Sequence, residues 1–334
     1  MATASTARSF WIRTPGHGEI LRADLPPRQA GEVLVRTCYS GISRGTEALV
    51  FRGAVPPSQH DAMRAPFQEG EFPGPVKYGY SSVGVVEEGP ARLRGRTVFC
   101  LHPHQDRYCV PAHVVRVVPA NVPAPRAVLA ANMETALNVI WDARPGPGDE
   151  IVVIGGGVVG LLTATLCRDL PGARLTVVDP KRSRATVAAA LDLAYSPDPP
   201  RGATADLVIH ASGHPDGLRA ALAVAGAAAT IVEASWYGTS QVALPLGEAF
   251  HARRLTLRSS QVGHVPPHRA PRWSRRRRLE LALALLADPR LDALVTGESG
   301  FDELPALLAA LAADPGDTLC HRIRYPAAGA GAVT

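Results

Sequence analysis

Residues 151–162 read Ile151-Val-Val-Ile-Gly155-Gly-Gly157-Val-Val-Gly160-Leu-Leu, an apolar run that enters GxGxxG and continues into helix-forming residues. Strand, glycine turn and helix stand in the order that a phosphate-binding βα unit requires. Gly155 permits the tight turn, Gly157 lets the backbone approach a pyrophosphate, and Gly160 lets helix pack closely on strand. Val158 and Val159 then place first-turn N–H groups before the anion. The next apolar run, Leu175-Thr-Val-Val-Asp179, ends in an acid 19 residues beyond Gly160, where an adenosine ribose would be held. Loop and acid together predict a dinucleotide site. The Asp179 carboxylate accepts the 2′- and 3′-hydroxyls of NAD and repels a 2′-phosphate, so NAD is favoured over NADP. Lys181 and Arg182, directly behind it, are the residues that would hold a phosphate in the other case, and otherwise form a solvated turn.

Working outward, further apolar runs suited to strands are Leu207–Ala211, Thr230–Ala234 and Leu255–Ser259, in addition to Ile151–Gly155 and Leu175–Asp179, with Ala/Leu helical stretches between them. Alternation of this kind predicts a doubly wound parallel sheet with right-handed crossovers, the Rossmann arrangement. The preceding third has a different texture. It is rich in Pro and Gly and carries short β-like runs, Val33–Tyr39, Val83–Val86 and Thr97–Leu101. A mostly β domain over 1–123 and a dinucleotide-binding domain over 124–264 are expected. Beyond Gly263 a Pro- and Arg-rich stretch, a leucine repeat (Leu279, Leu283, Leu286) and a segment ending near Tyr325 are too long for one more βα unit, so 265–334 is expected to return to the first domain. The closing AAGAGAVT has nothing to anchor it and is expected to fray.

A chain of 334 residues suffices for two domains with separate cores. With 46% hydrophobic and 19% charged residues it lies outside the composition of disordered proteins. The net charge is +5, and all basic residues but Lys77 and Lys181 are arginine. Most are dispersed and no aromatic residues interleave with them, which argues against a nucleic-acid partner. Five cysteines without a CxxC pair argue against a disulfide framework and fit reduced thiols in a cytoplasm. Neither a signal-peptide apolar core nor a bilayer-spanning run is found, and no membrane partner is expected.

Three further motifs, Gly41-Ile-Ser43-Arg44-Gly-Thr46-Glu47, Gly79-Tyr80-Ser81-Ser-Val-Gly84 and Thr135-Ala-Leu-Asn138, together with the glycine loop, make nearly the whole chain resemble the medium-chain dehydrogenase/reductase, or alcohol dehydrogenase, superfamily. SGISRGTE and GYSSVG are similar to its zinc-lacking group around bacteriochlorophyllide a hydroxyethyl dehydrogenase. The resemblance implies an α/β fold, a GroES-like catalytic domain joined to the Rossmann domain, and a homodimer paired through the strand at 255–259. Zinc-dependent members carry Cys where this chain has Ser43, His-Glu where it has Tyr80-Ser81, and Cys or Glu near Ala131. Ser and Tyr are poor zinc ligands, and Cys100 and Cys109 match no zinc-ribbon spacing, so a metal-free enzyme is expected. A replacement site from His102-Pro-His104 with Glu134 is the alternative, since His-x-His in a strand would place both rings on one face.

Hydride transfer without a Lewis acid needs a group that gives or takes the hydroxyl proton and donors for the developing oxyanion. Tyr80 is the first candidate, serving as acid, or as base if its pKa is lowered, with Ser43, Thr46 and Ser81 as relay hydroxyls. Packing of the cleft floor is its bland alternative. Glu134, read as preceding a helix, and Glu47 are candidates to orient a hydroxyl or accept a proton, against a helix-terminal charge and an internal salt bridge respectively. His104 is a candidate base. Arg44, matched to a pyrophosphate-binding position in some relatives, and Thr135 are candidate cofactor contacts. Arg275–Arg278 opposes the dipole of the helix it begins, which hints at an anionic substrate or partner, although a charge run is commonly a solvated face. The function expected is NAD-dependent interconversion of a secondary alcohol and a ketone on a medium-sized, biosynthetic small-molecule substrate. Two rivals are reduction of an activated C=C bond, as in quinone and enoyl reductases, and a non-catalytic dinucleotide-binding protein.

Overall fold

The computed structural model describes residues 6–326, and the AAGAGAVT segment lies outside them. The chain divides into two compact units, one of Met1–Ala131, Leu283–Ala287 and Val295–Thr334, the other of Asn132–Ala282 and Asp288–Leu294. The change in sequence texture placed the boundaries at 123/124 and 264/265. The compact units part at 131/132 and at 282/283, each inside a helix where apolar residues continue on both sides, and cross again at 287/288 and 294/295.

The first unit contributes β1 (Thr6–Thr14), β2 (His17–Asp24), β3 (Glu32–Ile42), α1 (Arg44–Phe51), β4 (Glu69–Gly70), β5 (Val76–Lys77), β6 (Ser82–Glu88), β7 (Thr97–Cys100), β8 (Arg107–Pro111), β9 (Arg116–Val117) and α2 (Ala124–Ala127). β3 is the central strand, paired antiparallel with β6 and with β8. Its alternation sends Val33 and Val35 inward, fully buried, to pack with Val86, Val98, Tyr108 and Val110. A smaller sheet has the order β2-β1-β5-β4.

The second unit holds most of α3 (Ala130–Ala143), then β10 (Glu150–Ile154), α4 (Val158–Cys167), β11 (Arg174–Val178), α5 (Arg184–Ala190), β12 (Tyr195–Ser196), β13 (Ala205–His210), α6 (Pro215–Val224), β14 (Ala225–Glu233), β15 (Thr256–Ser259) and most of α7 (Arg275–Leu285). Its sheet runs β12-β11-β10-β13-β14-β15, parallel throughout. β10 is apolar at every position from Ile151 to Ile154, and all four are buried, as a strand covered on both faces must be. Burying each such side chain contributes roughly 1.5–3 kcal/mol. The five expected strands are present with ends shifted. The largest shift is in β14, which starts at Ala225 rather than Thr230 because its opening residues, AGAAA, are too small to read as strand. The two-residue β12 carries no readable signal.

The chain then re-enters the first unit through β16 (Val295–Gly300), α8 (Leu304–Ala313) and β17 (Cys320–Arg324). β17 pairs antiparallel with β3, and β16 lies parallel on β17. Leu279, Leu283 and Leu286 are all buried. Among the described residues no helix is long and apolar enough to cross a membrane, and all five cysteines are free.

Candidate active site

In the first unit, α1 starts directly after Ser43, so Ser43 and Thr46 lie three residues apart, on neighbouring positions of its first turn. Both hydroxyls hydrogen-bond the phenol of half-buried Tyr80. Burial, and after it the Glu47 carboxylate, raise the Tyr80 pKa to about 12 against the lowering effect of the two hydroxyls. The lowered pKa that base catalysis by Tyr80 would require is therefore not what its surroundings produce. Desolvation and the carboxylate outweigh the hydrogen bonds, and the group stays a phenol.

Glu47 lies beneath, 2% exposed. Its Oε1 accepts the Ser43 backbone N–H at 2.7 Å, and its Oε2 lies 2.8 Å from His104 Nε2. His104 Nδ1 is 2.7 Å from Ser40 Oγ, which is 3.1 Å from the Tyr325 hydroxyl. One proton assignment satisfies the whole chain: Tyr325 donates to Ser40, Ser40 to His104 Nδ1, and His104 Nε2–H to Glu47. The backbone makes room for this. Gly79 has φ +125°, and a Cβ there would come within 2.8 Å of the His104 ring. Tyr325 is brought in by the returning β17, and its N–H donates to Cys38 O at 3.0 Å.

Several expectations are corrected here. Residues 101–104 fall between β7 and β8 rather than in a strand, so His102 and His104 do not share a face. His102 stacks on Tyr108 (3.6 Å, 7°) and Phe67 (5.6 Å), with Nδ1 3.0 Å from Pro103 O, and burial lowers its pKa to about 3. Ser81 is buried and its hydroxyl donates to Val128 O, away from any relay. The Arg44 guanidinium donates to Thr318 O at 3.2 Å within the same unit. The donor set at the position of the zinc ligands is thus Ser43 and Tyr80, hydrogen-bonded to each other, Ser81 bound to a carbonyl, and the buried methyl of Ala131. These do not fit zinc, which takes thiolate, imidazole and carboxylate. No group of three or more His, Cys, Asp or Glu suited to a metal occurs among the described residues.

In the second unit the chain leaves β10 through Gly155, φ +112°, where a Cβ would lie 2.6 Å from Ser212 N. A Cβ on Gly160 would overlap Gly155 O, whereas one on Gly157 meets nothing within 4 Å. Gly157 is the N-cap of α4 without a side-chain cap, so the first turn, with Val158 and Val159 half-buried, keeps an open approach for an anion. Asp179 Oδ2 accepts Gly156 N–H at 2.7 Å and Oδ1 accepts Lys181 N–H at 2.9 Å, so the acid also ties the second strand to the loop. Lys181 and Arg182 are exposed. Loop, helix terminus and acid fit a dinucleotide.

Glu134 lies inside α3, not before it, and Thr135 beside it is half-buried. Glu134 Oε1 is 3.0 Å from Arg278 Nε, Arg278 also donates to Asn138 Oδ1, and its third nitrogen donates to Val262 O at 2.5 Å. Arg275, Arg276 and Arg277 are exposed, but Arg278 is 1% exposed, so the run is not uniformly a solvated face. Two clusters went unforeseen. One is the Ser40–Tyr325 extension of the His104 chain. The other is His210 with Glu233, Ser212 and Tyr237 at the carboxyl ends of β13 and β14. The available signal for the second was a His and a Glu ending apolar strands.

No family model matches the chain. Among curated proteins it is similar to D-guloside 3-dehydrogenase of Escherichia coli (strain K12), 24% identical over 294 residues, 79% of this chain and 83% of that protein. A zinc-type alcohol dehydrogenase-like protein of Haemophilus influenzae is 26% identical over 219 residues, 61% of this chain and 60% of that protein. Among solved structures, L-idonate 5-dehydrogenase from E. coli superposes with a TM-score of 0.77 at 15% identity, covering 96% of this chain and 98% of the other. An alcohol dehydrogenase from E. coli CFT073 complexed with NADH gives 0.74 at 19% identity, covering 96% and 99%. The fold is that of the medium-chain alcohol dehydrogenases, a Rossmann parallel sheet with a GroES-like β unit.

Proposed function

We propose that this chain is an NAD-dependent dehydrogenase that interconverts a ketone and a secondary alcohol on a medium-sized, polyhydroxylated substrate without zinc. The observation that carries the reading is the phenol of Tyr80 held by Ser43 and Thr46 where zinc-dependent relatives keep metal ligands. SGISRGTE and GYSSVG, the motifs that hold these residues, also resemble the zinc-lacking subgroup. Support for the substrate class comes from relatives named for D-guloside and L-idonate.

When bound, the dinucleotide supplies the hydride donor or acceptor. Gly155, Gly157, Val158, Val159 and Gly160 would hold its pyrophosphate and Asp179 its ribose hydroxyls. In reduction, Tyr80 donates its proton to the carbonyl oxygen as the hydride reaches its carbon, while Ser43 and Thr46 steady the phenolate through hydrogen bonds and relay a proton to it from solvent. Glu47 holds the Ser43 backbone and keeps Tyr80 protonated between turnovers. With its pKa near 12 the phenol is fully protonated at neutral pH, the form that reduction consumes.

Tyr80→Phe tests the reading with cyclic ketoses and polyols as probes. Ketone reduction should fall about a hundredfold or more, with the NADH dissociation constant unchanged; undiminished turnover would contradict it. We also infer a homodimer through β15, the edge strand of the sheet, whose Leu257 is exposed. Pairing two such edges covers unpaired backbone groups.

A further inference from the structure

The first unit holds a second phenol two residues before Tyr80, one that the proposed reaction does not use. Tyr78 follows β5 directly and is separated from Tyr80 by Gly79, whose φ of +125° turns the backbone between them. The His104 segment braces this turn. His104 N–H donates to Tyr78 O at 3.4 Å, and the His104 ring occupies the space that a Gly79 side chain would need. Held in this way, the rings of Tyr78 and Tyr80 meet edge-on, with centroids 6.0 Å apart and planes at 88°. Phe72 also packs on Tyr78, at 5.8 Å.

Tyr78 is 4% exposed, yet among the described residues its hydroxyl has no hydrogen-bond partner. The neighbouring buried phenols are all served. Tyr108 pairs with Ser82 at 3.0 Å, Tyr325 with Ser40 at 3.1 Å, and Tyr80 with Ser43 and Thr46. A hydroxyl taken out of water and left unbonded is a cost that Phe, with the same ring, would avoid. Burial holds the Tyr78 pKa well above that of an ordinary phenol, and Tyr80 and then Glu47 raise it further through their charges. The free hydroxyl therefore lies within the field of both groups, beside the phenol that gives up its proton.

We propose that Tyr78 is a further catalytic residue, its hydroxyl donating a hydrogen bond to the same substrate oxygen that Tyr80 protonates. The inference rests on the reading of Tyr80 above and adds a second donor to it. In reduction the hydride comes from the dinucleotide and the proton from Tyr80. Tyr78 keeps its own proton and steadies the negative charge as it gathers on the carbonyl oxygen. A ligand oxygen in that place also supplies the acceptor that the fold leaves out.

Tyr78→Phe keeps the ring against Tyr80 and Phe72 and removes only the hydroxyl. With cyclic ketoses and NADH as probes, kcat for reduction should fall about a hundredfold, while the KM for the ketose and the NADH dissociation constant stay as in wild type. The urea unfolding midpoint should not fall, because the hydroxyl has no partner to lose. A lower midpoint would reveal a structural partner, and an unchanged kcat would mean a hydroxyl satisfied by solvent alone; either result overturns the inference. Tyr80→Phe separates this failure from that of the proposed reaction. Lost turnover in Tyr80→Phe beside wild-type turnover in Tyr78→Phe leaves the Tyr80 reading standing without the inference. Undiminished turnover in Tyr80→Phe, or a wild-type protein that reduces none of the ketoses, overturns that reading and the inference with it.

Discussion

Glu47 and His104, 57 residues apart in sequence, meet through a 2.8 Å contact between Oε2 and Nε2 in the interior of the first unit, while the other Glu47 oxygen holds the Ser43 N–H. One buried carboxylate thus fixes the Ser43 backbone at the start of α1 and sets the charge beside Tyr80. Glu47→Ala should cost about 2–4 kcal/mol, because two buried donors lose their acceptor. Glu47→Gln should cost less and, by removing a negative charge, lower the Tyr80 pKa from about 12. Urea unfolding checks the first expectation and ultraviolet titration of the phenol the second.

With Tyr80 near 12, its proton is present throughout the neutral range. The rate of ketone reduction should therefore show no alkaline loss owing to Tyr80 until pH approaches that value. A pH–rate profile under saturating NADH tests this, and an alkaline limb near pH 8 that vanishes in Tyr80→Phe would contradict it.

His102 makes the first unit acid-labile. Its folded pKa of about 3 lies below the unfolded value near 6.5, so between these limits the unfolded chain binds a proton that the folded chain refuses. Stability should fall by about 1.4 kcal/mol per pH unit as pH drops through this window. His102→Phe, which keeps the stack against Tyr108 and Phe67, should flatten the loss. Unfolding midpoints between pH 7 and 4 decide the matter.

Arg278 and Glu134 form a buried ion pair in the second unit, with side chains 1% and 7% exposed. Breaking such a pair from one side leaves an unpaired buried charge and costs about 3–5 kcal/mol. Glu134→Ala should reach that range, whereas Arg276→Ala, at an exposed position, should change stability by less than about 0.5 kcal/mol. Thermal unfolding of the two variants provides the comparison.

Asp179 ties the Gly156 and Lys181 N–H groups together, and the proposed NAD preference gives it a second task, repelling a 2′-phosphate. Asp179→Ser should lower kcat/KM for NAD about tenfold or more and raise the NADP-to-NAD ratio, since Lys181 and Arg182 remain nearby in sequence. Steady-state kinetics with both dinucleotides would show it.

How far sequence reading reached follows from the range of each interaction. The glycine turn from β10 into α4 was readable because its geometry is written into consecutive residues, and β10 because a strand buried on both faces needs an unbroken apolar run. The pairings that decide each acid's role were not. Glu134 finds Arg278 at a separation of 144 residues, and Ser40 finds Tyr325 at 285. Nothing in either neighbourhood marks the partner. His102 and His104 show the same limit at short range. A proline between them takes the segment out of strand geometry, and one ring becomes a stacked core group while the other is bound by Glu47.

In the proposed reaction, hydroxyl groups do what a metal does in zinc-dependent relatives. Zinc per protomer, measured by elemental mass spectrometry on protein purified without chelators or a metal-affinity column, tests it most directly. The account predicts a content near zero in protein that still binds NADH. Stoichiometric zinc would contradict it and place the metal on side chains other than Ser43, Tyr80 and Ser81.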